Sequence, residues 1–140
     1  MDRLLLVEHN LLLRDCLALL LKLQTGLHSV LARSLAEAQY VLDDVGHKPL
    51  CVVVGLDLSD GDGTELLGKL DGIPVLALIG GRSPDSERRA AAMRLGADEV
   101  LRKSEPTDKI IAAVERLVFA EAERRRPVTL QDRVRPSHVG

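Results

Sequence analysis

Aromatic side chains are almost missing from this chain of 140 residues, which has one Tyr, one Phe and no Trp. Hydrophobic residues nevertheless make up 46% of it, a share typical of globular proteins. The chain is long enough to bury a substantial core as one domain, and that core must consist of Leu, Val, Ile and Ala. No charge of one sign dominates, because the formal net charge is -2. This balance argues against a general nucleic-acid-binding surface.

Cysteines and long apolar runs are also scarce. The two cysteines, Cys16 and Cys51, lie in apolar contexts, so we expect buried free thiols in a reducing compartment. The longest apolar stretch, residues 11–23, is shorter than the ~18 to 20 residues that span a membrane, and charged residues interrupt it. After Met1 the chain enters a strand-like run without the pattern of a secretory signal. We therefore expect a cytoplasmic protein without membrane contact.

Short apolar runs alternate with longer helical segments in five β-α units. The runs at residues 4–7 and 51–54 do not alternate with polar residues, which is typical of strands covered on both faces in a parallel sheet. The sequence therefore predicts an α/β fold, a doubly wound five-stranded parallel sheet of order 2-1-3-4-5 with helices on both faces. The predicted strands are residues 3–7, 27–32, 50–55, 74–78 and 98–101, and the predicted helices are residues 10–24, 35–45, 62 or 63 to 70, 83–95 and 105–124.

Several helix ends carry their own signals. Asn10 is predicted to cap the first helix and Gly26 to end it. Ser34 and Glu37 have the spacing of a capping box at the start of the second helix. The fourth helix is predicted to begin at Ser83-Pro84, since proline suits the first helical position.

The composition changes near residue 122. We assign residues 1–122 to one domain and residues 123–140 to a linker or C-terminal tail, because three arginines and a proline at residues 124–127 end the last helix and a polar stretch follows. Another interpretation makes the arginines a basic element that contacts nucleic acid or a partner. No aromatic residue is interleaved with them, so this signal is weak.

The residues around Gly55 carry the most information. Residues 51–54 are apolar, Pro49 lies six positions before Gly55, and Asp62 and Gly63 lie seven and eight positions after it. In this frame the chain resembles a CheY-like response-regulator receiver domain, and it is most similar to the receivers of LuxR/NarL-type transcriptional regulators. The resemblance implies the flavodoxin/CheY-like fold and places a phosphate-accepting aspartate where Gly55 stands. Since glycine has no carboxylate, this position cannot be phosphorylated.

The resemblance also places a phosphorylation pocket at the carboxyl ends of the strands, where doubly wound sheets bind ligands. Glu8 keeps one acidic position, while His9 replaces a second carboxylate and is a poor ligand for Mg²⁺. Ile79 replaces a hydroxyl residue and cannot hydrogen-bond a phosphoryl oxygen. Val100 replaces an aromatic residue, and only Lys103 is unchanged. The chain is therefore interpreted as an atypical receiver with a degenerate pocket that consists of Glu8, His9, Gly55, Ile79 and Lys103.

Other interpretations of these residues stay open. Lys103 can form a plain ion pair with Glu8, and His9 can be an ordinary residue of an exposed loop. Asp57 is an alternative phosphate acceptor. It lies two positions beyond the expected end of the strand, ~6 to 7 Å along an extended chain. Its carboxylate would therefore overshoot the pocket unless the loop folded back.

The leading functional hypothesis is a phosphorylation-independent receiver that acts as a dimerisation or interaction module in two-component signal transduction, without enzymatic activity, cofactor or metal. The resemblance implies control of transcription through a helix-turn-helix DNA-binding domain that is not in this chain. We expect a homodimer, because the first helix is apolar on nearly every side and a surface helix should show a polar face. The candidate interface residues are Leu13, Leu20, Ile111, Val114 and Val118.

Two alternative functions use the same pocket. A conventional phospho-receiver would combine Asp57 with Glu8 and Mg²⁺. A ligand-binding regulatory domain would hold a small molecule in the space vacated at Gly55, with Ile79 making the pocket more apolar and Lys103 binding an anion. An enzyme is disfavoured, since the sequence contains no P-loop, dinucleotide fingerprint or Ser-His-Asp pattern.

Overall fold

The computed structural model describes residues 3–44, 48–80 and 85–125. Five long strands lie side by side in one parallel sheet, in the order His28–Ala32, Arg3–Val7, Cys51–Gly55, Val75–Ile79 and Glu99–Arg102. Two short strands, Asp57–Leu58 and Gly61–Asp62, form a separate antiparallel pair. Counted among the long strands alone, this is the predicted order 2-1-3-4-5, which is thereby confirmed. In chain order the elements are β1 (Arg3–Val7), α1 (Leu11–Thr25), β2 (His28–Ala32), α2 (Leu35–Asp43), β3 (Cys51–Gly55), β4 (Asp57–Leu58), β5 (Gly61–Asp62), α3 (Thr64–Leu67), β6 (Val75–Ile79), α4 (Asp85–Leu95), β7 (Glu99–Arg102) and α5 (Thr107–Arg125).

The sheet is covered on both faces, as the uninterrupted apolar runs predict. In β1, Leu5 and Val7 belong to a core shared with α2, α3 and α4, whereas Leu4 and Leu6 belong to a second core shared with α1 and α5. Both cores are aliphatic, apart from the buried thiol of Cys51. The two cores are therefore filled by aliphatic side chains, as the scarcity of aromatic residues predicts.

The ends of α1 are set by the residues that the sequence indicates. The side chain of Asn10 accepts a hydrogen bond from the N–H of Leu13 at 3.2 Å. Gly26 ends the helix with a φ of 77°, and its N–H donates to the carbonyl of Lys22. Glycine suits this left-handed conformation because it has no Cβ.

The first turn of α2 is capped from two directions. The hydroxyl of Ser34 accepts a hydrogen bond from the N–H of Glu37 at 3.1 Å, as predicted. The carboxylate of Glu37, however, accepts from the N–H one position before Ser34, so the capping box is displaced. Asp60, from the turn between β4 and β5, accepts from the N–H groups of Leu35 and Ala36 at 2.8 and 3.0 Å. These bonds hold that turn against α2.

Some element bounds differ from the prediction. α2 ends at Asp43, α3 is only four residues long, and α5 continues to Arg125, past the predicted domain end at residue 122. The sequence does not predict the hairpin of β4 and β5, because strands of two residues carry no periodic signal. The predicted helix start at Ser83-Pro84 and the predicted tail from residue 126 onward lie outside the described residues. Among the described helices, none has the length and apolar character needed to cross a bilayer.

The two cysteines differ in their surroundings. Cys51 is fully buried in β3, and burial raises the pKa of its thiol to about 12. Cys16 is exposed on α1, so the prediction of a buried thiol is wrong for this residue. The physical reason is that apolar residues surround α1 on nearly every side, so the hydrophobic pattern does not reveal which side is buried. Both thiols are free, as predicted.

Candidate functional site

Four strands of the parallel sheet end beside one another and bring the predicted pocket residues to one edge. Glu8 follows β1, Gly55 is the last residue of β3, Gly80 follows β6 and Lys103 follows β7. Parallel strands present their carboxyl ends at the same edge, so side chains far apart in sequence meet there.

Glu8 and Lys103 form a largely buried ion pair at this edge. The Nζ of Lys103 lies 2.8 Å from each carboxylate oxygen of Glu8 and donates a hydrogen bond to Oε2. The side chain of Glu8 is 3% exposed and that of Lys103 is 20% exposed. The N–H of Asn10 also donates to Glu8 Oε2, at 2.7 Å, and the N–H of Lys103 donates to the carbonyl of Ile79. The ion pair that the sequence allows is therefore present, and the backbone fixes both partners.

The carboxylate of Glu8 occupies the space beside Gly55. A Cβ at Gly55 would lie 2.1 Å from Glu8 Oε1 and 3.1 Å from Glu8 Cδ, and the shorter distance is one that real Cβ atoms essentially never show. Any side chain at position 55 would therefore collide with Glu8 in its present conformation. A carboxylate from β1 thus fills the place where the resemblance puts the side chain of an acceptor from β3. The sequence predicts a roomy pocket for a small ligand at Gly55. This prediction is wrong, because the side chain of Glu8 fills that space.

Two of the remaining predicted residues lie apart from this ion pair. Ile79 is 1% exposed and belongs to the same apolar core cluster as Val100, Val54 and Ala92. Its side chain therefore stabilises the core and does not line a polar pocket. His9 is exposed, as expected for an ordinary loop residue. The structure thus brings together Glu8, Gly55 and Lys103.

Asp57 lies at the rim of the same edge. The loop after β3 forms the β4–β5 hairpin, and a Cβ at Gly80 would lie 3.3 Å from Asp57 Oδ2 and 3.0 Å from the Cδ of Lys103. The loop has thus folded back, which is the arrangement in which the Asp57 carboxylate is not expected to overshoot the pocket. Asp57 Oδ1 pairs at 2.9 Å with Nη1 of Arg88, and the Asp57 side chain is 49% exposed.

Sequence reasoning missed Arg88. This α4 residue holds the Asp57 carboxylate and donates a hydrogen bond to the carbonyl of Gly80 at 3.4 Å. Arg89 and Arg94 lie in the same helix. No sequence signal distinguishes the three arginines, because the rotation of α4 about its axis decides which of them reaches the loop.

The charges at this edge are arranged in two pairs. Glu8 faces Lys103, and Asp57 faces Arg88. Across residues 3–44, 48–80 and 85–125, no three His, Cys, Asp or Glu side chains are placed to hold a metal ion. Asp57 is the more exposed of the two carboxylates, so it is the one that a reagent in solution can reach.

The fold matches solved structures of signalling proteins. The chain superimposes with a TM-score of 0.79 on a CheY-like response regulator receiver domain protein from Methanospirillum hungatei, at 19% identity, over 89% of this chain and 98% of that one. The chain has the response-regulator receiver fold. This chain also matches a response regulator from Burkholderia pseudomallei that was solved with a phosphorylated aspartic acid, a calcium ion and citrate. That match has a TM-score of 0.71 and 24% identity over 93% of this chain and 78% of that one.

One curated relative resembles this chain in sequence. It is a probable transcriptional regulatory protein, y4xI, of Sinorhizobium fredii, which is 41% identical over 69 residues. The alignment covers 48% of this chain and 30% of that protein, so this chain matches under a third of the relative's length. No protein-family model matches the chain.

Helices α1 and α5 place the predicted interface residues at different depths. Ile111 is 1% exposed and Val114 is fully buried, and both pack in the core beneath α5. Their prediction as contact residues is wrong for the folded chain, because the side of α5 that carries them covers the sheet. Leu13, Leu20 and Val118 are half-buried at the edge of the same core. More exposed apolar side chains lie elsewhere on α1 and α5, at Leu12, Leu19, Leu23 and Phe119.

Proposed function

We propose that this receiver is a phosphorylation-independent signalling module that works in the cytoplasm as a homodimer and regulates transcription through contacts with other protein surfaces. The position of the Glu8 carboxylate beside Gly55 carries this proposal. The acceptor position has no side chain to receive a phosphoryl group, and the lysine that would face the phosphate already faces a carboxylate.

The residues around the ion pair support a pocket that does not change its charge or conformation in response to phosphorylation. Phosphorylation acts by adding negative charge that recruits cationic partners. Here the carboxylate of Glu8 already lies 2.8 Å from the Nζ of Lys103, without any phosphorylation. Ile79 and Val100 are both buried aliphatic residues, so neither offers a hydroxyl that would follow a change of charge in the pocket. In this proposal the signal is the concentration or assembly state of the receiver.

The link to transcription has separate support. The relative from Sinorhizobium fredii is named as a probable transcriptional regulatory protein, and the receiver aligns with less than a third of it. In our proposal a DNA-binding domain outside this chain performs the regulation, and the receiver brings such domains together.

An amide NMR titration tests the proposed indifference to phosphate. The receiver is titrated with Mg²⁺ and beryllofluoride, a phosphoryl mimic that needs an acceptor carboxylate. We expect no saturable shifts at the amides of Glu8, Gly55 and Lys103, because no free carboxylate stands at position 55. Saturable shifts centred on these three amides would overturn the proposal.

A conventional phospho-receiver that uses Asp57 is the second candidate, and one observation favours it. The Asp57 carboxylate is half exposed and lies against Gly80, close to the hydrocarbon stem of Lys103. Phosphorylation at Asp57 would require Arg88 to release the carboxylate. It would also require Lys103 to leave Glu8 if the lysine is to face the phosphoryl group.

Mass spectrometry after incubation with acetyl phosphate and Mg²⁺ separates the two candidates. The Asp57 candidate predicts a phosphoryl adduct that is lost in Asp57→Asn and kept in Asp62→Asn. Asp62 is the matched control, because it lies opposite Asp57 in the β4–β5 pair. If the wild-type protein gains no phosphoryl group, the phosphorylation-independent function stands and the Asp57 candidate fails.

A further inference from the structure

Helix α1 has a second apolar face on the side that points away from the core. Leu17 and Leu21 are 1% and 0% exposed and hold α1 against the sheet. Leu12, Leu19 and Leu23, by contrast, are 82%, 57% and 71% exposed. Cys16 lies exposed among them. Single exposed apolar residues are ordinary on a protein surface, but a continuous row of them along one helix marks a contact surface.

The row has the spacing of a coiled-coil seam. Leu12, Cys16, Leu19 and Leu23 follow one another at intervals of four, three and four residues. This is the alternation of d and a positions in a heptad, with Leu12 and Leu19 at d and Cys16 and Leu23 at a. We call these four residues the α1 seam. A seam with this period fits another helix with the same period.

The two borders of the α1 seam differ in polarity. On one border Asp15 and Lys22 occupy the g positions, and both are exposed. On the other border Leu13 and Leu20 occupy the e positions and are half-buried against the core. The charged border therefore carries one residue of each sign, seven positions apart.

We propose that the α1 seam is the contact surface for a second copy of this chain, with the two α1 helices antiparallel. This inference rests on the proposed homodimeric function and names its interface. An antiparallel pair places d positions opposite a positions, so Leu12 meets Leu23 of the partner subunit and Cys16 meets Leu19 of the partner subunit. The charged borders then face each other, and Asp15 pairs with Lys22 of the partner subunit. Within its own chain Asp15 already pairs with Arg14 at 3.0 Å. A parallel pair would place Asp15 against the apolar border, away from Lys22 of the partner subunit.

The contact is short, so the dimer is an equilibrium species. α1 contains 15 residues, which corresponds to ~22 Å of helix and four seam layers. Contacts of this extent belong to the small, transient class of interfaces. We therefore expect the molecular mass to rise with protein concentration.

Sedimentation velocity over a range of concentrations tests the surface. The substitution Leu19→Glu places a charge in the centre of the α1 seam and is expected to weaken association at least about tenfold. Tyr40→Glu is the matched control, because Tyr40 is 81% exposed on α2 and outside the seam. Leu12→Glu repeats the test at a more exposed position, and circular dichroism checks that each variant is folded. Association that persists unchanged in folded Leu19→Glu and Leu12→Glu would overturn the proposed surface.

Disulfide trapping tests the orientation. In a Cys16→Ser background, the antiparallel pair brings position 12 opposite position 23, so Leu12→Cys/Leu23→Cys is expected to form a covalent dimer on oxidation. Leu12→Cys alone is not expected to form a covalent dimer. Two copies of position 12 would lie about 16 Å apart along the helix axes, which is too far for a disulfide. Cys51 is buried, so it does not compete. Efficient trapping of the single variant would overturn the antiparallel arrangement.

The inference and the function on which it rests fail in different ways. If the wild-type protein stays monomeric at every concentration, both the α1 seam and the homodimer are contradicted. The proposal that the receiver does not respond to phosphorylation is tested separately, because the beryllofluoride titration measures residues at the carboxyl edge of the sheet. If the protein still dimerises in the seam variants, the proposed homodimer is supported and only the α1 seam is excluded as its interface.

Discussion

Two acidic residues meet basic partners at the same edge of the sheet, yet their surroundings differ sharply. The Glu8 side chain is 3% exposed and is held by Lys103 and by a backbone N–H, whereas the Asp57 side chain is 49% exposed and is held by Arg88. Asp57 is closer in sequence to Gly55, but the carboxylate of Glu8 fills the space beside it. The place where a strand ends in the sheet, rather than distance along the chain, therefore decides which side chains meet at this edge.

The difference in burial also sets the energetic weight of each pair. Breaking a buried ion pair by removing one partner leaves the other charge uncompensated in a medium of low dielectric constant. An exposed pair loses little when it is broken, because water screens each charge. The Glu8–Lys103 pair should therefore contribute to the stability of this protein far more than the Asp57–Arg88 pair does.

The largest effect is expected for Glu8→Gln. This substitution keeps the shape of the side chain and an oxygen for the N–H of Asn10, but it leaves the charge of Lys103 unpaired. We expect a loss of about 3 kcal/mol in the free energy of unfolding, the lower end for broken buried pairs, because Lys103 keeps some contact with water. Urea unfolding followed by circular dichroism measures the loss. A loss no larger than that of Asp57→Asn would remove the distinction between the two pairs.

The next effect is expected for Gly55→Ala. Its new methyl group would lie 2.1 Å from Glu8 Oε1, so the carboxylate must move and the ion pair is distorted. We expect a loss of roughly 1 to 3 kcal/mol, the range for overpacked sites. In a Glu8→Asp background the shorter side chain withdraws from position 55, so adding Gly55→Ala should cost less there than in the wild-type background. Equal costs in both backgrounds would contradict the direct collision.

A smaller effect is expected for Asp57→Asn. The pair with Arg88 is half exposed, so its loss should change the free energy of unfolding by about 0 to 1 kcal/mol. The effect should shrink further at high ionic strength, since salt screens exposed charges. Urea titrations at low and high salt measure both quantities, and a salt-independent loss near that of Glu8→Gln would show that Asp57 is the residue on which the edge depends.

The contrast between the two pairs also shows what the sequence can predict. The run at residues 4–7 has no polar interruption, so it predicts a strand covered on both faces, and the strand ends then place Glu8 and Lys103 at one edge. Their pairing follows from opposite charge and proximity. That Glu8 enters the space beside Gly55 depends on its side-chain conformation, which no local pattern encodes.

The features that the sequence could not predict depend on rotation and on short elements. α1 is apolar on nearly every side, so its sequence fits several rotations about the helix axis, and only the structure shows Cys16 outside and Leu17 inside. The β4–β5 hairpin is too short for a periodic signal, although it turns Asp57 back toward the sheet edge. Arg88 can pair with Asp57 only because this turn brings the carboxylate toward α4.

The smallest effect concerns Asp60, which lies in the same loop as Asp57 and is held by backbone N–H groups instead of a cation. The N–H groups of Leu35 and Ala36 donate to it and lower its pKa below the ordinary value of an aspartate. Because the folded pKa is the lower one, the stabilisation is present above the unfolded pKa and is lost as the pH falls through the folded pKa. An NMR titration of the side-chain carboxyl should give a midpoint below that of an unfolded aspartate. In Asp60→Asn, which keeps one acceptor oxygen, this part of the acid dependence of stability should disappear. A midpoint at or above the ordinary value would show that these bonds do not hold the loop against α2 in solution, and the inward turn of Asp57 would then lose one of its supports.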